Sequence, residues 1–66
     1  MRVRVNGEST EVDDAATIAR LLDSFELPPQ RVAVEVNENL VRRQEFDKTQ
    51  LRDGDQVEIV TLVGGG

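Results

Sequence analysis

The C-terminal residues are the ones in this sequence that suggest a chemical role. Three consecutive glycines, Gly64, Gly65 and Gly66, follow a strand-like apolar run and end the chain. Folding does not favour such a run, because glycine loses more backbone entropy on ordering than any other residue. Glycines do allow another molecule to approach the backbone closely, which makes the α-carboxylate of Gly66 the candidate reactive group. The alternatives are a frayed terminus or a glycine-rich scar left by expression.

The composition removes the side chains that enzymes use most. The chain has no cysteine to serve as a nucleophile or metal ligand, and no histidine to serve as a general base. Ser9 and Ser24 have no base nearby in the sequence that would activate them. A domain of 66 residues has one thin core and no separate active-site cleft. We therefore expect no catalytic residue, no metal site and no bound cofactor, and do not expect an enzyme.

The charge and hydropathy patterns restrict the partners. A net charge of -5 opposes nucleic-acid binding, and two phenylalanines without tryptophan or tyrosine leave little for bases to stack on. No apolar run approaches the length of a membrane helix, and the N-terminus has no signal-peptide core. We expect a cytoplasmic protein that is monomeric when free and binds neither nucleic acid nor membrane.

The N-terminal part of the chain has the pattern of a β-hairpin. Residues 1–5 alternate between apolar and arginine side chains, which predicts a half-buried strand. Asn6 and Gly7 suit a type I′ turn, because both of its central residues require positive φ. Residues 8–12 are then expected to return as the second strand.

A helix is predicted after the hairpin. Thr17 can accept a hydrogen bond from a free N–H of the first turn and so serve as the N-cap. Pro28 and Pro29 are expected to end the helix, since a residue before proline disfavours the α conformation. One apolar stripe at helical spacing consists of Ile18, Leu21, Leu22 and Phe25.

The second half of the chain predicts further strands. Residues 31–37 alternate cleanly, residues 40–41 form a short paired segment, and residues 56–63 form the last strand. Between them, Phe46 and Leu51 are expected to anchor a loop to the core.

These elements predict an α+β fold with a mixed four- to five-stranded sheet and one helix across one face. The first and last strands are expected to be central and parallel, joined through the helical crossover. The predicted division is a domain at residues 1–63 and a flexible tail at residues 64–66. The opposite face of the sheet is expected to be in solvent and to carry Arg2, Arg4, Glu35 and Glu58.

The last strand departs from simple alternation. Val57 and Ile59 share the core-facing phase, whereas Val60, Leu62 and Val63 lie in or beside the solvent phase. A β-bulge or the end of the sheet is the structural explanation. The functional explanation is an exposed apolar surface for docking.

Several segments, taken in order, resemble the ThiS family of sulfur carrier proteins in thiamine biosynthesis. The matching segments are residues 32–37, 40–46, 53–60 and 63–66, with the Asn6-Gly7 hairpin and the helix start at Thr17. The resemblance implies a ubiquitin-like β-grasp fold. Two positions depart from the family: Arg42 stands where proline is usual, and Phe46 stands where tryptophan is common.

The resemblance also implies a mechanism. An adenylyltransferase of the ubiquitin-activating type, ThiF-like, uses ATP and Mg to adenylate the Gly66 carboxylate, and a persulfide donor converts it to a thiocarboxylate. A ThiG-like thiazole synthase then accepts the sulfur. The residues expected to thread the tail are Gly64 and Gly65, and those expected to bind partners are Val60, Leu62 and Val63.

Other interpretations remain open at this point. A related β-grasp carrier for molybdopterin or tRNA thiolation, a ubiquitin-like protein modifier, or a plain interaction domain has the same general pattern. Arg42 and Arg43 either pair with acidic partner groups or, more simply, solvate a loop. Asp53 and Asp55 flank a glycine, which is ordinary turn chemistry and supplies too few oxygens for a metal.

Overall fold

The computed structural model describes residues 1–62, within which five strands, one α-helix and two short 3₁₀ helices form. The elements are β1 (Arg2–Val5), β2 (Glu8–Glu11), α1 (Ile18–Ser24), a 3₁₀ helix (Pro29–Arg31), β3 (Val32–Val36), β4 (Asn39–Val41), a 3₁₀ helix (Arg43–Glu45) and β5 (Gln56–Thr61). The predicted boundary at residues 63 and 64 and the glycine tail lie outside the described residues.

The strands form one mixed sheet in the order β2-β1-β5-β3-β4. The chain's first and last strands, β1 and β5, are neighbours and run parallel, and the remaining pairs are antiparallel. This confirms the predicted sheet and its central parallel pair. The core lies on the face that α1 covers, and its buried cluster consists of Val3, Val5, Ile18, Leu21, Leu22, Val32, Val34, Phe46, Leu51, Val57 and Ile59.

Helix α1 begins as predicted. Thr17 is extended, and its Oγ1 accepts a hydrogen bond from the N–H of Arg20 (3.1 Å). Three residues of the predicted stripe, Ile18, Leu21 and Leu22, are buried. The inward placement of the fourth, Phe25, is wrong, because this residue is the C-cap of the helix and its side chain is 42% exposed.

The end of α1 also differs from the prediction. The helix stops at Ser24, well before the two prolines, because Glu26 adopts φ of +58°. The N–H of Glu26 donates to the carbonyl of Asp23, and the N–H of Leu27 donates to the carbonyl of Leu22 (both 2.9 Å). This is the Schellman arrangement, which satisfies the last carbonyls of a helix. The helix therefore ends because the backbone of Glu26 is in the left-handed region, and not because of the prolines.

The loop between β4 and β5 is anchored as predicted. Phe46 and Leu51 are each 3% exposed. The loop also supplies carbonyl acceptors to the start of α1, where the N–H of Ile18 donates to Thr49 (3.1 Å) and the N–H of Ala19 donates to Phe46 (2.9 Å). Since the first N–H groups of a helix have no partner within it, the loop completes the helix.

The turn at residues 53–55 uses its carboxylates for structure. Asp53 Oδ1 accepts from the N–H of Arg2, and Asp55 Oδ2 accepts from the N–H of Arg52 (both 2.8 Å). Gly54 has φ of +87°, which suits glycine. These contacts confirm the turn interpretation and attach the loop to β1.

The amine of Met1 is held by three acceptors. It donates to Glu11 Oε2 (3.1 Å), to the Val12 carbonyl (2.9 Å) and to Asp14 Oδ1 (3.3 Å). The hydrogen bond to Glu11, which outweighs a smaller desolvation effect, and the bond to Asp14 raise the pKa of this amine above its ordinary value of 8.0. The N-terminus therefore fastens β1 to the end of β2.

This raised pKa predicts a pH-dependent stability. The folded state binds the amine proton more tightly than the unfolded state, so the contribution is complete below the ordinary value of 8.0 and is lost as pH rises through the raised pKa. Urea unfolding between about pH 7 and about pH 10 should show a falling free energy of unfolding. An N-acetylated chain has no titrating amine and should lack this component; an identical pH dependence in both chains would contradict the assignment.

The left-handed conformation of Glu26 predicts a stabilising substitution. Glu26→Gly should raise the free energy of unfolding by about 1 kcal/mol, because glycine adopts positive φ without a Cβ clash. Thermal unfolding should then shift upward by roughly 4–8 °C for a domain of this size. Glu26→Ala is the matched control, since it removes the same charge but keeps the Cβ. An equal gain from both variants would assign the effect to charge and refute the backbone explanation.

Candidate functional site

The predicted reactive end of the chain leaves the domain from the central strand of the sheet. β5 lies between β1 and β3, and its last described contact is the N–H of Leu62 donating to the Arg31 carbonyl (2.7 Å). The point from which the tail continues is therefore fixed by main-chain hydrogen bonds. The predictions for Val63, Gly64, Gly65 and Gly66 themselves concern residues outside the described part of the chain.

Two apolar side chains at this point are exposed. Val60 is 57% exposed and Leu62 is 50% exposed, whereas Val57 and Ile59 are buried. The register between β5 and β3 is unbroken from Val57 to the end of β5, so no bulge between these strands causes the exposure. Val60 and Leu62, which we call the tail-root patch, lie on the sheet face opposite α1, as the sequence predicted.

The rest of this face carries mixed polar and apolar groups. Ala33 lies opposite Val60, and Glu35 lies between Glu58 on one side and the exposed Leu40 on the other. Two carboxylates directly opposite each other oppose stability, since like charges on adjacent strands repel. The face is therefore arranged for solvent or a partner and not for internal packing.

The four arginines considered in the sequence analysis divide into two pairs. Arg2 bonds Ser9 Oγ through Nη1 (3.1 Å), and Arg4 bonds the Gly7 carbonyl through Nη2 (3.1 Å), so both cover the β1–β2 hairpin. Arg42 and Arg43 are exposed, and neither forms an ion pair within residues 1–62. Their role, partner contact or loop solvation, stays a prediction.

The side chain of Asn6 holds the end of β5 in place. β1 stops pairing with β5 at Val57, where the Asn6 N–H donates to the Val57 carbonyl (2.8 Å). Beyond it, the Asn6 amide takes over the role of a strand: Oδ1 accepts from the N–H of Ile59 (2.7 Å), and Nδ2 donates to the Ile59 carbonyl (3.1 Å). One amide side chain thus extends the ladder toward the tail.

Asn37 bonds the first residue of β5 in a similar way, through its main chain and its side-chain amide. Its N–H donates to the Gln56 carbonyl (2.7 Å), and its Oδ1 accepts from the N–H of Gln56 (3.0 Å). Asn6 and Asn37 both have positive φ at hairpin turns. In the sequence, Asn6 is recognisable as a turn residue, but the hydrogen bonds of these two side-chain amides to β5 were not predicted. The only available signal was the choice of asparagine where glycine would also fit the turn.

Within residues 1–62 we find no buried polar or charged side chain and no cluster of three or more acidic, histidine or cysteine residues that could hold a metal. Over the same residues, no helix is long and apolar enough to cross a membrane. The features that the described part offers for function are thus its surfaces and the position of its last strand.

Comparison with known proteins decides the family. The sequence model of the ThiS family matches residues 3–66, which is nearly the whole chain. The chain belongs to the ThiS family. This confirms the resemblance drawn from the sequence, and the match includes the three terminal glycines.

Individual relatives agree with the ThiS assignment. The sulfur carrier protein ThiS of Bacillus subtilis is 35% identical over 65 residues, covering 97% of this chain and 98% of that protein. The crystal structure of a thiamine biosynthesis protein (ThiS) from Geobacter metallireducens superposes with a TM-score of 0.82 at 36% identity and covers 100% of both chains. The β-grasp fold of the ThiS family is thereby confirmed.

A third relative is much longer. The thiazole synthase of Magnetococcus marinus is 35% identical over 66 residues, which are 100% of this chain but only 20% of that protein. The ThiS-like part is therefore one region of a larger polypeptide in that organism.

The Asn6 contacts predict a specific loss of stability. Asn6→Gly keeps the positive φ that the turn needs but removes both hydrogen bonds to Ile59, so the free energy of unfolding should fall by about 1–3 kcal/mol. Urea unfolding measures the change. Asn39→Ala is a matched control, because the Asn39 amide makes only one long bond, to the Asn37 carbonyl (3.4 Å). Equal stability of Asn6→Gly and the parent chain would show that the amide contributes nothing.

Proposed function

We propose that this ThiS-family protein carries sulfur for thiamine biosynthesis as a thiocarboxylate on Gly66. The observation that supports this most directly is the family match, which runs through the three glycines to residue 66. A frayed end or an expression scar would have no reason to fall within the family pattern. The exposed tail-root patch, Val60 and Leu62, supports a docking role for the surface beside the tail.

The proposed chemistry has three steps. A carboxylate oxygen of Gly66 attacks the α-phosphorus of ATP, and pyrophosphate leaves; the resulting acyl-adenylate makes the carbonyl carbon electrophilic. The terminal sulfur of a persulfide then attacks that carbon, and AMP leaves. This attack forms a C–S bond and keeps the S–S bond of the donor. A thiol then cleaves that S–S bond, which frees the thiocarboxylate and leaves a disulfide. The chain has no cysteine, so its C-terminus is the group on which it would carry the sulfur.

In this proposal the chain is a substrate and not a catalyst. A ThiF-like adenylyltransferase binds ATP and Mg and supplies the catalytic groups. The chain contributes a fixed tail root, held by Asn6 and Arg31, and apolar side chains at Val60 and Leu62 for the enzyme to bind. Gly64 and Gly65 leave no Cβ to obstruct a narrow catalytic channel.

We further propose thiazole synthase as the acceptor of the sulfur. The support is the Magnetococcus protein of that name, one region of which is similar to the whole of this chain. Regions of one polypeptide remain at high effective concentration, which suits a carrier and the enzyme it serves.

Intact mass spectrometry tests the carrier chemistry. The untagged chain is incubated with the adenylyltransferase of the same organism, ATP, Mg and a persulfide source. We expect a mass gain equal to the replacement of one oxygen by sulfur, because in the proposed chemistry a persulfide sulfur replaces one oxygen of the adenylated terminal carboxylate.

Two control variants locate the effect. A chain lacking Gly66 should gain no sulfur although its domain is unchanged. Leu62→Ser should gain sulfur more slowly at limiting enzyme and yet reach the same final mass, because it weakens docking and leaves the carboxylate intact. An unchanged mass of the parent chain with a demonstrably active enzyme would refute the proposed function.

A further inference from the structure

One segment of β5 has main-chain N–H and C=O groups that form no hydrogen bond to a neighbouring strand. Arg31 pairs with Leu62, so the N–H and C=O of Leu62, Val60 and Glu58 point toward β3. The alternate residues, including Thr61, point toward β1. The β1 chain has already turned away there, and the Asn6 amide reaches only to Ile59.

Thr61 therefore has one N–H and one C=O that face the position next to β5 where β1 would continue if it were longer. We call this unoccupied strand position the lane. No hydrogen bond from residues 1–62 reaches its main chain on that side. An unpaired strand edge is a template for another extended polypeptide, because the spacing of its donors and acceptors matches a second backbone.

A groove on the α1 face of the sheet adjoins this lane. Its volume is about 280 Å³, and it is lined by Thr61 and Ile59 of β5, by the hairpin and by Phe25 and Leu27 at the end of α1. The exposed ring of Phe25 belongs to it. The N–H of Phe25 donates to the Leu22 carbonyl (3.1 Å), so the main chain from which the ring projects is fixed at the end of α1.

The groove and the lane together specify an occupant. At about 280 Å³ and open to solvent, the groove lies near the lower end of the range for small-molecule pockets. It is large enough for an apolar side chain or two of a peptide whose backbone pairs with Thr61. Main-chain donors and acceptors beside an aromatic side chain are the features by which an added strand is recognised.

We propose that an extended segment of thiazole synthase adds to β5 at Thr61 and inserts an apolar side chain against Phe25. This rests on the proposed function for the identity of the acceptor. The site is distinct from the tail-root patch, because the side chains of Val60 and Leu62 lie on the opposite face of the sheet. The adenylyltransferase and the acceptor would then bind at opposite faces of the sheet.

The first test removes the aromatic ring. The affinity of Phe25→Ala for the thiazole synthase of the same organism, measured by titration calorimetry, should fall roughly tenfold, as for an anchoring interface aromatic. Asp23→Ala is the matched control, because Asp23 is exposed on the same helix and does not line the groove. Its affinity should equal that of the parent chain.

The second test removes the N–H of Thr61. A chain of 66 residues is short enough for chemical synthesis with an ester in place of this amide. The ester carbonyl belongs to Val60 and faces β3, and because an ester accepts hydrogen bonds more weakly than an amide, the free energy of unfolding should fall slightly. Loss of the N–H, which has no partner within residues 1–62, should weaken binding by the folded chain by about threefold to tenfold. This test also covers the case in which Phe25→Ala fails to fold.

The outcomes separate this proposal from the proposed function. Weaker binding by both altered chains, with the control unchanged, supports the added strand. Parent-like binding by both overturns it and leaves the sulfur chemistry intact. If the parent chain gains sulfur at Gly66 but does not bind thiazole synthase, the acceptor is wrong and this site falls with it.

Discussion

The parallel pairing of the first and last strands is the constraint on which the rest of this structure depends. β5 can lie beside β1 only if the intervening chain crosses over, and α1 on the sheet face is that crossover. The crossover covers one face and leaves the other open. It also places the last strand, β5, at the middle of the sheet and not at an edge, between β1 and β3.

A small domain has little stability to spare, and the way β5 is held reflects this. Where β1 and β3 turn away, Asn6 and Asn37 use their side-chain amides as substitutes for a strand backbone. Each hairpin turn therefore does two things: it reverses the chain and fastens the central strand. For function, the consequence is that the position of the last strand is fixed. A reactive group at the end of a polypeptide is useful to an enzyme only if the segment before it arrives at a reproducible place.

Much of this could be predicted from the sequence because the strands alternate cleanly and the helix stripe has the right period. The phase of the last strand placed Val60 and Leu62 on or beside the solvent side of the sheet, whereas their exposure could not be decided from the sequence. The errors arose where tertiary contacts or rare conformations decide. Phe25 fits the helical period but lies just after the last helical residue, and hydrophobic periodicity does not show where a helix ends. Glu26 ends the helix in a conformation that glutamate seldom adopts, and the bonds of Asn6 depend on a strand more than 50 residues away.

The contacts of the Met1 amine, together with the role proposed for Gly66, decide how the protein can be labelled. An N-terminal tag would replace the ammonium of Met1 with an uncharged amide that has a single N–H, and the contacts to Glu11, Val12 and Asp14 would not all survive. A C-terminal tag would turn the carboxylate of Gly66 into an amide. Because the sequence has no cysteine, one thiol introduced on the outer surface of α1, as in Asp23→Cys, would be a unique attachment point for a fluorophore that leaves both ends native.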